Sequence, residues 1–436
     1  MDRMHPYPEI SRQSIAQALG WVSGVLLLAG MFLTPPWLNI GLALGALSIL
    51  LAPRERYPPR VLLVAGGCFT LWQLITVWLA VQRGQAGAGE IPGSAYHWLA
   101  LPLMAVIARE ERWRKPALGL VVLAGFIALG YATYQFVAGS LSVAGGVSFQ
   151  YARGFAGWHI TYGFVGAIFA AVLISPLASG MPWWVRLPGI FMALFVVALS
   201  GSRGMILACI AGVPLALALR GGWRWILGGI ALGIVLVLAF GLRFYLTDPV
   251  RFRSMGQAAS TVVTTVSSGQ SSPPAGPSPG DGRFQIWTTS SDLFADHPWV
   301  GVGGRKAFRV AYQEAWLERE RTGRLVPGYE PKPPHAHNTF LAQVVEHGLP
   351  TLALHATLIG AALMLCWRHR KRDARPAVAA GCLLATGLVG GVFEPVLIQS
   401  IPGIAFHAWL GFAVGMAWQR PHVAEIEGAP SPMNTV

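Results

Sequence analysis

The chain has 436 residues, of which 54% are hydrophobic and 12% charged, and its formal net charge is +13. Soluble domains carry about 25% charged residues, so this composition excludes an ordinary soluble fold. In a soluble protein the basic excess would point to nucleic acid; among apolar blocks its first explanation is the Lys and Arg of cytoplasmic loops, and no nucleic-acid partner is expected.

Taken in chain order, the apolar blocks predict twelve transmembrane helices at about 14–33, 37–52, 61–81, 95–108, 117–138, 159–176, 183–199, 203–219, 225–243, 338–366, 377–398 and 402–418. Most are near bilayer length, roughly 17–25 residues. Barrel strands would be short and alternating, so the expected class is an all-α integral membrane protein. The first block is followed by Thr34-Pro35-Pro36 rather than a small-residue cleavage site, and reads as a span. The predicted organisation is nine spans in 1–243, a loop domain with short helices in 244–337, three spans in 338–418 and a tail in 419–436. Cys68, Cys209, Cys366 and Cys382 all fall in or beside apolar blocks, as small core residues do, and suggest no disulfide framework.

An even number of spans puts both termini on one side. The short segments on that side hold 18 Lys plus Arg, those opposite hold three, and the other 11 of the 32 fall in 243–337. The positive-inside rule then makes the termini cytoplasmic and the long loop external, since long loops are exempt from the count. Within the loop, 260–282 is rich in Ser, Thr, Gly and Pro and is expected to be mobile. Helical spacing follows in 283–294, with Phe284, Ile286, Trp287, Leu293 and Phe294, and again in 307–324; His297-Pro298 separates the two.

Three external arginines stand beside glycines: Arg153, Arg203 in Ser200-Gly201-Ser202-Arg203-Gly204, and Arg283 in Gly282-Arg283-Phe284. Each alone reads equally well as a snorkelling interfacial residue. Together they point to an anion site, and Arg203 also opens a helix, whose free N–H groups suit phosphate. His335-Ala336-His337-Asn338 precedes the tenth span. A histidine there suits a general base, whereas Asn338 serves equally as a helix N-cap. His-x-His can hold a metal, but no Cys or carboxylate pair stands beside it at ligand spacing. Gly301 and Gly303, in the run from His297 to Gly304, form either a backbone cradle or only a loop. No phosphate-binding loop of the Walker type is present.

These four motifs, their order, the twelve spans and the single large loop resemble the O-antigen ligase (WaaL) family of the O-antigen ligase and polymerase superfamily over nearly the whole chain. His297 stands where many relatives have Asn before Pro. The resemblance implies a metal-independent, cofactor-free glycosyltransferase of the bacterial inner membrane, active on the periplasmic side. Its donor would be an undecaprenyl-diphosphate-linked glycan and its acceptor lipid A–core, as in lipopolysaccharide maturation. It implies an inverting transfer with His337 as general base and Arg203, Arg283 and Arg153 on the diphosphate. His335, Asn338, Trp287, Gly301 and Gly303 would contact substrate. Close relatives polymerise the glycan or attach it to protein. A secondary transporter is the rival of another class, but it would show matching halves with paired intramembrane acids. Here Glu346 and Glu394 are the only carboxylates in the later spans.

Overall fold

A computed structural model of the chain describes residues 11–32, 34–54, 57–85, 94–142, 159–219, 223–247, 281–323 and 335–418. Arg153, the Ser/Gly/Pro-rich stretch through residue 280 and the tail 419–436 lie outside the described residues. Regular structure among the described residues is helical throughout, without strands. Seven of these helices are long and apolar enough to cross a membrane, and five shorter apolar helices occupy the positions of the other spans. The protein is thus an all-α, multi-pass membrane protein. Leu50, Val64, Phe191 and Leu238 are apolar and exposed on its flanks, which lipid tolerates and water would not.

The first part of the bundle is α1 (Arg12–Ala29), α2 (Pro35–Leu51), α3 (Arg60–Gln82), the short pair α4 (Ser94–His97) and α5 (Ala100–Ile107), and α6 (Glu111–Ser142). Then follow α7 (His159–Ile174), α8 (Trp183–Ser200), α9 (Arg203–Ala218) and α10 (Trp223–Thr247). Helix starts are written locally. Ser11 caps α1 by accepting from the Ser14 N–H at 3.1 Å, and Pro35 and Pro36 open α2 where their missing N–H groups cost nothing.

The loop region carries α11 (Asp281–Asp296) and α12 (Arg305–Arg321), close to the two helices predicted there. The tenth span departs from expectation. The block 338–366 is not one helix but two, α13 (Thr339–His347) and α14 (Leu349–Arg368). Gly348 sits at φ 79, which ends α13, and Pro350 in the first turn of α14 cannot continue an earlier helix. The chain closes with α15 (Arg375–Phe393) and α16 (Ser400–Ala417).

Helix α16 is the axis of the bundle, with 94% of its apolar window buried. Lipid supplies no hydrophobic force between helices, so close approach through small residues matters more than in water. Gly411 and Gly415 of α16 provide it: a Cβ would lie 2.2 Å from the Leu101 carbonyl oxygen at the first and 2.5 Å from that of Ala105 at the second. A second, smaller core joins α11, α12 and α13 through Ile286, Phe308, Tyr312, Trp316 and Val345. It sits over one end of the bundle, where Ala80 of α3 belongs to it.

The two parts are tied by polar contacts. Trp72 of α3 donates to the His347 carbonyl at 2.8 Å. Gln343 of α13 meets His355 Nδ1 at 3.1 Å, and His355 meets His407 of α16 at 3.2 Å. His407 Nδ1 donates to the Gly403 carbonyl at 2.7 Å. Unpaired, these groups would be costly in a bundle interior; paired, they fix α13 to the bundle.

Candidate active site

Asn338 caps α13, its side-chain oxygen accepting from the Phe340 and Leu341 N–H groups at 2.8 and 2.9 Å. Cap geometry sets the direction of the residues just before it. Ala336 is fully buried, and His337 adopts φ 50, a left-handed conformation rare for a residue with a side chain. Such strain costs about 1–3 kcal/mol and persists where the surroundings over-determine it, often at functional sites. The two histidine rings meet edge to face at 4.3 Å.

From the other side of the bundle comes Glu394, the residue that ends α15. Thr339, the first residue of α13, donates to the Glu394 carbonyl at 2.9 Å. Gly391, one turn earlier, lets α15 lie against Thr339. These contacts bring the Glu394 carboxylate to His337, with Oε2 at 3.1 Å from Nδ1. Its other oxygen, Oε1, accepts from Arg283 of α11 at 2.6 Å. Only 2% of the Glu394 side chain is exposed, against 23% for His337 and 41% for Arg283. A buried carboxylate needs such partners to remain charged.

The contacts set the tautomer of His335. His335 Nδ1 accepts the His337 backbone N–H at 3.2 Å, so its proton sits on Nε2. Burial first, and the adjacent His337 second, push the His335 imidazole down to about 2. It is a neutral residue that holds the backbone of its neighbour. When His337 donates Nδ1–H to Glu394, its Nε2 keeps the lone pair and can take a proton.

Arg203 opens α9 next to this cluster. Helix α8 stops at Ser200, Gly201 turns the chain at φ 62, and α9 starts two residues later. Gly204 packs against Phe393, the neighbour of Glu394. The first turn of α9, with its N–H groups and Arg203, thus borders the end of α15. The structure brings Arg283, His335 and His337 together around one carboxylate and sets the start of α9, which Arg203 opens, against Phe393 beside it; Arg153 lies outside the described residues.

The other expected contacts are engaged with the protein itself. The Val302, Gly303 and Gly304 N–H groups donate to the Val345 and Glu346 carbonyls at 2.8 to 3.0 Å. A Cβ on Gly303 would strike Ala80, and one on Gly301 the backbone of 345–347. Both glycines sit in left-handed conformations, at φ 61 and 99. They seat the loop on α13 and α3. Trp287, one turn beyond Arg283, packs against the second core, and its indole N–H has no protein acceptor among the described residues.

Sequence reading passed over Glu394 as a site residue. The available signal was a carboxylate inside an apolar span, a functional candidate by default; its partners stand 111 and 57 residues away. The same carboxylate bears on metal binding. His335, His337 and Glu394 each offer a donor atom within 4.8 Å of the others, so the carboxylate that sequence spacing did not reveal beside His-x-His is supplied by the fold. In the structure Oε1 of that carboxylate accepts from Arg283 and His335 Nδ1 accepts the His337 N–H.

A carboxylate shared by a histidine and an arginine, at one end of an all-helical bundle, defines a class: multi-pass membrane proteins with a buried polar cluster of the kind proton-transfer chemistry needs. Residues 188–356 match the family model described as O-antigen ligase, and this likeness supports a relation to the O-antigen ligase superfamily. The match runs from α8 into α14 and takes in Arg203, Arg283, His335 and His337, while Glu394 lies beyond it. No curated protein matches the chain.

Proposed function

We propose that the protein is an O-antigen ligase of the bacterial inner membrane, transferring a glycan from undecaprenyl diphosphate to lipid A–core on the periplasmic side. The observation that carries this reading is the Glu394 carboxylate shared by Arg283 at 2.6 Å and His337 at 3.1 Å. It sets a proton acceptor and a fixed cation side by side.

In this reading the acceptor hydroxyl attacks the anomeric carbon while His337 Nε2 takes its proton. The bond from that carbon to the diphosphate oxygen breaks, and the oxygen leaves with the electron pair. Arg283 and Arg203, helped by the first-turn N–H groups of α9, hold the charge that develops on the diphosphate. One displacement inverts the anomeric centre. Glu394 keeps His337 in the useful tautomer and balances the imidazolium that forms. Trp287 offers a ring for a sugar face. The lower half of α9 and the facing side of α10 leave an apolar groove of about 500 Å³, lined by Ile210, Pro214, Ile230 and Val237, which suits a polyprenyl tail.

The test is transfer by the purified protein, given lipid-diphosphate-linked glycan and lipid A–core in the presence of a chelator. A glycan-extended acceptor is expected, with a loss of about 10²–10⁴-fold in His337→Ala, the usual contribution of a general base. Chelator inhibition relieved by added divalent metal would instead assign His335, His337 and Glu394 to a cation. Longer glycan on the lipid carrier, with lipid A–core untouched, would make the protein a polymerase of the same superfamily.

A further inference from the structure

We propose a binding site for an anionic phospholipid at the end of the bundle opposite His337, in the groove between α14 and α15. Helix α14 leaves the site region at Gly348 and runs 20 residues to Arg368, about 30 Å at 1.5 Å per residue. Helix α15 returns from Arg375 to Phe393, beside Glu394. At their far ends the two helices part around a cavity of about 850 Å³, within the roughly 300–1,000 Å³ usual for ligand sites.

Its wall is apolar, with Leu363, Met364, Val378 and Leu384, and is opened by two glycines. A Cβ on Gly360 would meet nothing within 4 Å, and one on Gly381 only Leu219 at 3.4 Å. The mouth is of opposite character: Arg370, Lys371 and Trp367 line the same cavity.

Charge complementarity identifies the occupant. The turn holds five cations, Arg368, Arg370, Lys371, Arg372 and Arg375, and one carboxylate, Asp373. Asp373 is engaged by Arg375 at 2.8 Å. Arg370 and Lys371 have no carboxylate partner among the described residues; the Arg370 guanidinium lies 4.0 Å from the Trp367 ring centre and donates to the Trp367 carbonyl at 3.1 Å. A cationic rim with an interfacial Trp above an acyl-sized apolar slot matches a phosphodiester headgroup with its chains. Basic pockets between transmembrane helices bind anionic lipid in this way, and Trp anchors at the headgroup level. The site is separate from the proposed transfer chemistry and does not depend on it.

Native mass spectrometry of the full chain in detergent, titrated with phosphatidylglycerol or phosphatidylcholine of the same chains, tests the proposal. Phosphatidylglycerol should be retained roughly 10- to 30-fold more tightly, as two favourable cations imply. Arg370→Ala with Lys371→Ala should abolish that preference. Gly360→Leu with Gly381→Leu, which fills the slot and leaves the cations in place, should lower retention of both lipids. Equal retention of the two lipids by the unaltered protein would overturn the site, as would a preference that survives Arg370→Ala with Lys371→Ala, or unchanged retention in the glycine double variant. Inorganic phosphate should not compete at equal concentration; if it does, the apolar slot plays no part and the proposal fails. A melting curve of each variant separates loss of the site from loss of the fold.

Discussion

The Glu394 side chain lies where almost no water reaches it, between Arg283 of α11 and His337 just before α13. Replacement by Gln keeps the shape and removes the charge. Arg283 is then released from its partner and is free for the diphosphate, while His337 loses the group that balances its proton. The expected kinetics move in opposite directions: KM for the lipid-linked donor falls, and kcat falls by about 10² or more, less than the roughly 10⁴ of a buried triad aspartate. Loss of folded protein would lower kcat and leave KM alone, so steady-state kinetics on monodisperse enzyme separate the two. Glu394→Asp should recover part of kcat. His335 gives a pH test of a different kind. Its folded-state value of about 2 lies far below the ordinary value of about 6.5. As pH falls through 6.5 the unfolded chain takes up this proton and the folded chain does not, so folded stability declines from there downward. At pH 5 the loss is about 2 kcal/mol. His335→Asn, which can still accept the His337 N–H, should lose less melting temperature between pH 7 and 5 than the unaltered protein; parallel losses would show that burial does not depress the His335 imidazole. At this scale the sequence was readable where a polar residue is conspicuous in an apolar chain, as with Arg203, Arg283 and His337. It was silent on the pairing, because nothing local connects position 394 to 283 or 337.

Elements were legible where their signals are local. Apolar runs located the helices, and the Ser11 cap, the Pro35-Pro36 start and the break at His297-Pro298 are all written in neighbouring residues. The division of the tenth block was missed because apolar character continues across it; Gly348 and Pro350 were visible, but a single Gly-x-Pro is tolerated inside many spans. The division matters, because only a separate α13 can turn its N-terminus, with His335 and His337, toward Glu394. Packing of α16 on α5 rests on Gly411 and Gly415, one helical turn apart. Gly411→Leu forces a side chain against the Leu101 carbonyl, where neither partner is a flexible tip. Overpacking of this kind costs about 1–3 kcal/mol, and thermal melts in detergent should show a fall of several degrees. Gly360→Ala, in open space, should change little. Equal melting of the two variants would mean that α16 and α5 can move apart without penalty.

For the whole molecule, the distribution of charge predicts which way the site faces. Eighteen Lys and Arg in short segments on the side of the termini, against three opposite, predict an orientation with the termini in the cytoplasm. The fold places the His337 cluster and the basic groove at opposite ends of α14 and α15, so with the predicted orientation the proposed transfer chemistry would lie outside and the proposed lipid site in the cytoplasmic leaflet. The argument is testable with single cysteines. Cys68 is the exposed native thiol, and Cys209, Cys366 and Cys382 are buried; Cys68→Ser gives a quiet background. Glu318→Cys, on the exposed face of α12, should react with a membrane-impermeant maleimide in intact spheroplasts. Lys371→Cys, at the mouth of the groove, should react only after the membrane is opened. The reverse pattern would put Arg283, His337 and Glu394 in the cytoplasm, where a periplasmic glycan donor could not reach them. The proposed ligase function would then fall, while the lipid groove would survive in the other leaflet, because it depends on the cations at its mouth and not on the side they face.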